Sequence, residues 1–114
     1  MELQKFESIL EQALKDIPEK FRALLDNITI EVEPEKIVRG EDGGLILGHY
    51  IGVPLPQRGP AYRNVIPDRI ILYRRAIERW PVEEIPELIR NVLQHEIGHY
   101  FGMSEEELSK YKKA

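Results

Sequence analysis

Leu3, Phe6, Leu10, Ala13, Leu14 and Ile17 recur at intervals of three and four. That spacing gathers apolar side chains on one face of a helix, so residues 2–16 are expected to form one. Pro18 closes it and suits the first turn of a second short helix running to about Leu25. Ile28, Ile30 and Val32 then alternate with polar residues, the pattern of a half-buried strand over 28–33 that Pro34 ends. Residues 39–44 hold three glycines and Asp42, the composition of a turn. A second strand is expected over Leu45–Val53, interrupted by Gly48 and Gly52. Positions 54–67 carry four prolines and Gly59 and read as an extended loop.

The short apolar run Arg69–Arg74 predicts a buried third strand, with a turn of helix over 75–79. From Pro86 to Phe101 the helical period is strongest: Leu88, Ile89, Val92, Leu93, Ile97 and Tyr100 form one broad apolar face. Glu83, Glu84 and Glu87 complement the positive end of that helix, and Gly102 suits its exit. Ser104 followed by Glu107 has the form of a capping box, opening a last helix over 105–112. The pattern has no repeat, linker or low-complexity stretch and is expected to build one domain, residues 1–114.

Composition narrows the chemistry. Of the 114 residues 42% are hydrophobic, enough for a core without a covalent staple. Charged residues make up 32%, but the net charge is only −4. No basic excess offers a surface for nucleic acid, and no nucleic-acid partner is expected. There is no cysteine, which excludes disulfides and thiolate metal sites; any metal centre has to use His and carboxylates. The N-terminal segment has neither an unbroken apolar stretch nor the flanks of a signal peptide, so a cytoplasmic protein without membrane attachment is expected. The abundance of Glu, Arg and Ile, with only two Met, follows the trend of thermophilic proteins.

The chemistry is concentrated in His95-Glu96-Ile97-Gly98-His99, an HExxH pattern inside the strongest helix. Residues four apart stand one above the other on a helix, so both imidazoles can reach one metal ion. Glu96 lies about 100° round the helix from His95, placed to take a proton from water as general base and pass it to a leaving amine. A third ligand is needed. Gly102 falls three residues after His99 and Glu105 six after, giving HExxHxxGxxE; a glycine turn can bring position 105 back toward the metal. Otherwise Glu105 caps the last helix, and Glu106 is the nearest substitute. Shuffling this composition would yield HExxH in roughly one trial in a hundred and the longer pattern in about one in ten thousand.

On this motif, together with Leu47–Leu55 and Pro67–Tyr73, the chain resembles the minimal zincin-like metallopeptidases of bacteria over nearly its whole length. The resemblance implies His95, His99 and position 105 as ligands to one Zn2+ per chain, with Glu96 as catalytic base. It also implies an α/β (α+β) unit, a small mixed sheet packed on the active-site helix. Metzincins share the spacing but place a histidine third, followed by a methionine turn; here position 105 is Glu and Met103 lies inside the motif.

Around this centre, Tyr50, Tyr73 and Arg69 are candidate donors to a tetrahedral oxyanion, although each type more often packs or faces solvent. His49 is expected to be structural or at the surface; as a fourth ligand it would signal structural zinc instead. Gly98 is expected to let the helix approach the sheet closely. The function expected is hydrolysis of a peptide or protein substrate laid antiparallel to Leu45–Val53 as an edge strand. The alternative is a catalytically silent zincin-fold module for metal binding or protein interaction, motivated by how little chain remains to build a cleft.

Overall fold

A computed structural model describes residues 1–62 and 66–111. Its helices are α1 (Leu3–Lys15), α2 (Glu19–Arg22), α3 (Arg74–Ile77), α4 (Ile85–Tyr100) and α5 (Glu105–Tyr111), and its strands β1 (Ile28–Glu33), β2 (Gly48–Ile51) and β3 (Asp68–Tyr73). Position 112, expected in the last helix, lies outside the described residues, as do 63–65 of the expected loop.

The strands form a mixed sheet in the order β1-β3-β2, with β3 parallel to β1 and antiparallel to β2. Successive residues of a strand face opposite sides. Ile70 and Leu72 of β3 therefore join one core with Phe6, Leu10 and Ala13 of α1 and Ile89, Val92, Leu93 and Ile97 of α4. Ile71 and Tyr73 face the other way and pack with Ala76, Val38 and Leu45–Leu47. The fold is thus a mixed α+β arrangement, helices on one face of a small sheet and an irregular segment on the other.

Three expectations are corrected. The second strand covers only Gly48–Ile51, because Leu45 leaves the sheet to bridge Arg39 across the glycine turn. The 54–67 loop contains a helical turn at Leu55–Gln57. Gly98 faces α5 and not the sheet: a Cβ there would stand 2.3 Å from Leu108 Cδ2. Among the described residues no helix is long and apolar enough to cross a membrane.

One buried polar cluster ties the loop to the sheet. The Arg58 side chain, 6% exposed, pairs at 2.8 Å with Asp68, which is 2% exposed. Arg58 also donates to the Val53 and Asp26 carbonyls and stacks on the Tyr62 and Tyr100 rings, 4.4 and 5.0 Å from their centroids. Asp68 further accepts from the Tyr50 hydroxyl and the Val53 N–H. Gly52 makes room for this carboxylate, since a Cβ would come within 2.1 Å of Asp68 Cγ.

Candidate metal centre

α4 carries His95 and His99 one turn apart, their rings near perpendicular with centroids 4.9 Å apart. The helix then ends in a Schellman motif: Met103 N–H bonds the Gly98 carbonyl and Gly102 N–H the His99 carbonyl, both at 2.9 Å. Gly102 adopts φ +89°, a conformation that suits glycine. It also has to be small, because a Cβ would sit 2.8 Å from Pro56 Cγ. Ser104 and Glu107 exchange side-chain-to-backbone hydrogen bonds at 3.1 and 2.9 Å, opening α5. The reversal carries Glu105 back over the histidines.

The three groups converge. His99 Nε2 lies 2.8 Å and His95 Nε2 3.0 Å from Glu105 carboxylate oxygens, and one donor atom from each residue lies within 4.8 Å of the others. His99 Nδ1 is 3.0 Å from the Met103 carbonyl, which can only accept. Nδ1 therefore carries a hydrogen, and with no second proton on the ring an Nε2 lone pair would face Glu105. A lone pair and a carboxylate do not face each other at 2.8 Å without a cation between them. A proton meets that need, and so does a metal ion. Ligands of a tetrahedral zinc stand about 3.3 Å apart, within the range these atoms span, so the residues fit the metal. The His99–Met103 bond is the kind of outer contact that orients a metal-binding imidazole.

Glu105 is 73% exposed, against 30% for His95 and 23% for His99. Partial burial pulls its pKa upward, but hydrogen bonds and charge from His95 and His99 prevail and hold it below the usual range. Glu96 is different. It is 7% exposed and sits between α4 and β2, and burial raises its pKa against the pull of the nearby histidines. Gly48 creates that niche: a Cβ on it would lie 2.6 Å from Val92 Cγ1 and 3.2 Å from Glu96 Cγ.

A cavity of about 420 Å³ opens beside the centre, lined by residues that include Glu96, His99, Glu105, Tyr50, His49 and Gln57. Of the expected oxyanion donors, two lie elsewhere. Arg69 is on the sheet face opposite α4 and makes two bonds to Glu31, at 2.9 and 2.8 Å. Tyr73 belongs to the apolar cluster on that same opposite face, where burial raises its pKa. Tyr50 does line the cavity, but its proton goes to Asp68, and burial and that carboxylate raise its pKa further. His49 and Gln57 are also among the lining residues, but the register pairs His49 with Ile71, which faces away from α4. His49 is not among the three residues whose donor atoms converge.

Sequence reasoning passed over three features. Gly48 looked like a strand interruption, although an isolated glycine in a strand also marks close backbone approach. Arg58 carried no signal inside a proline-rich loop. The Met103 contact uses a backbone carbonyl, which side-chain identity does not encode.

Two imidazoles one turn apart on a helix, a carboxylate returned to them by a glycine turn and a buried carboxylate beside them define a candidate metallohydrolase centre of the HExxH class. The chain belongs to the zincin-like metallopeptidase family, whose model matches residues 25–114. No curated protein matches the chain. Its structure is similar to that of a conserved hypothetical protein from Thermus thermophilus, at 20% sequence identity and a TM-score of 0.64, over 97% of this chain and 100% of the other. At that identity the likeness concerns the fold, and its coverage extends into the N-terminal residues ahead of the family match.

Proposed function

We propose that the protein is a zinc-dependent peptidase. The observation that carries this is the convergence of His95 Nε2, His99 Nε2 and the Glu105 carboxylate, with the buried carboxylate of Glu96 one residue along the helix. His95, His99 and Glu105 hold one zinc ion per chain, which when bound supplies Lewis acidity to the scissile carbonyl and to water. The Met103 carbonyl keeps His99 in the ligating tautomer. Glu96 accepts the proton of the attacking water on a carboxylate oxygen and delivers it to the leaving amine nitrogen. Burial favours its protonated form and so strengthens it as a base. β2 lies at an edge of the sheet beside α4 and aligns an extended substrate through backbone hydrogen bonds. Gln57, which lines the cavity, offers an amide N–H of the kind an oxyanion requires.

The test is elemental analysis of protein purified without added metal, followed by cleavage of a mixed peptide library by wild type and Glu96→Gln. About one zinc per chain is expected, lost in His95→Ala and His99→Ala, with cleavage absent in Glu96→Gln while zinc is retained. Zinc without cleavage by wild type would move the function to metal-dependent binding, a reading favoured by the exposure of Glu105. No zinc uptake would overturn both.

A further inference from the structure

The 54–58 turn borders the chain reversal that delivers Glu105. The Pro56 ring lies against Gly102, its Cγ and Cδ 2.8 and 3.0 Å from where a Cβ would stand. Gly102, at φ +89°, is where the chain leaves α4, three residues before Glu105. Within the turn, Gln57 N–H bonds the Pro54 carbonyl at 2.8 Å and Arg58 N–H the Leu55 carbonyl at 3.1 Å. Neither bond ties the turn to the rest of the protein. The Arg58 side chain does: Nε donates to the Val53 carbonyl at 2.9 Å, Nη1 to the Asp26 carbonyl at 2.9 Å and Nη2 to Asp68 Oδ2 at 2.8 Å. The first bond joins the two ends of the turn, the second anchors it ahead of β1, and the third fixes it to the start of β3. The guanidinium also lies over the ring of Tyr100, the last residue of α4. One buried group thus connects the turn, the sheet and the end of the helix that carries His95 and His99.

We propose that Arg58 is a positioning residue for the metal centre: it seats Pro56 against Gly102 and so sets where the Glu105 carboxylate meets the two imidazoles. This rests on the zinc ligands proposed above. Arg58 touches none of them and acts through Pro56 and Tyr100. Its charge and its shape can be separated by substitution. A lysine supplies a cation for Asp68, but its single nitrogen cannot hold two carbonyls and a carboxylate in a planar fork. Arg74 provides an internal control. Its side chain is 9% exposed, it donates to the Pro34 and Met1 carbonyls, and it pairs with Glu35 and Glu78. Burial and connectivity are therefore similar to those of Arg58. Arg74, however, follows the opposite end of β3 from Asp68, about 20 Å away along the strand.

The experiment measures zinc affinity by competition with a chromogenic chelator, and the stability of the metal-free proteins by urea unfolding, for wild type, Arg58→Lys, Pro56→Ala and Arg74→Lys. Zinc binding by Arg58→Lys is expected to weaken about tenfold, the lower end of what contacts around metal ligands contribute. Pro56→Ala should weaken it severalfold with little loss of stability, because Pro56 is exposed and the Arg58 bonds remain. Arg74→Lys should lose stability as Arg58→Lys does, yet bind zinc like wild type. Unchanged zinc affinity in Arg58→Lys or in Pro56→Ala would overturn the positioning role. So would an equal loss in Arg74→Lys, which would trace the effect to stability alone. If Arg58→Lys does not fold, Pro56→Ala against Arg74→Lys decides. Failure of wild type to take up zinc would overturn the metal centre and this inference with it.

Discussion

Replacing Gly48 with alanine tests the packing that seats Glu96. The new methyl would lie 2.6 Å from Val92 Cγ1, where carbon atoms in contact stand about 3.5–4.0 Å apart, so roughly 1 Å of movement is needed. Val92 is 8% exposed and locked in the main core, and its branched side chain has no flexible end to yield. Overpacking of this kind costs about 1–3 kcal/mol. Val92→Ala alone leaves a cavity and costs about 1–3 kcal/mol. In Gly48→Ala/Val92→Ala the added methyl occupies vacated space, so the double variant should be more stable than the sum of the singles by about 1–2 kcal/mol. Urea unfolding of metal-free protein, followed by circular dichroism, gives the four stabilities without any metal-binding term. Additivity to within about 0.5 kcal/mol would show that the two side chains do not compete for one space, and the packing argument for Glu96 would fail. In the zinc-loaded protein, Gly48→Ala should also lower peptide cleavage, because the same methyl would lie 3.2 Å from Glu96 Cγ.

Arg58→Met strands the buried Asp68 carboxylate and should destabilise the protein by about 3–5 kcal/mol in chemical unfolding; adding Asp68→Leu should recover part of that. Gly98→Ala pushes on Leu108, so the zinc affinity measured by competition with a chromogenic chelator should fall as α5 shifts, whereas unchanged affinity would detach α5 from ligand placement. Hydrogen bonding from Arg69, then from Thr29, lowers the Glu31 pKa to about 2. A carboxylate depressed in this way stabilises the fold above its unfolded pKa and loses that contribution as pH falls toward about 2. Arg69→Gln should therefore reduce stability at neutral pH only slightly, since the pair is largely exposed, and should flatten the acid limb of the stability curve measured by chemical unfolding.

Elements with a sustained period were legible in the sequence: α1, β1 and α4 match their expected spans to within a residue or two. The convergence of His95, His99 and Glu105 was legible because helix geometry alone relates His95 to His99, and one glycine turn relates them to Glu105. Features made by distant residues were not. Arg58 meets Asp68 only once the 54–58 loop folds back on β3, and no local period encodes such a meeting. The oxyanion candidates failed for a related reason. Strand alternation puts Arg69 and Tyr73 on the face away from α4, but which face is which depends on where the helices pack. Likewise Gly98 advertised a close approach without naming the neighbour, which proved to be α5.

The division of the candidate ligands between two helices would have a kinetic consequence for any metal they hold. His95 and His99 form a claw fixed by α4, while Glu105 arrives through a short reversal and stands largely in solvent. A metal ion held as proposed would depart in stages, the carboxylate arm lifting first and the imidazoles letting go afterwards. The reversal is only a few residues long, so re-closing it would carry little loop entropy. Exchange of such a metal would depend on how firmly α5 is held against Gly98, and chelators that capture a two-histidine state should strip the zinc-loaded protein at a rate that Leu108→Ala increases.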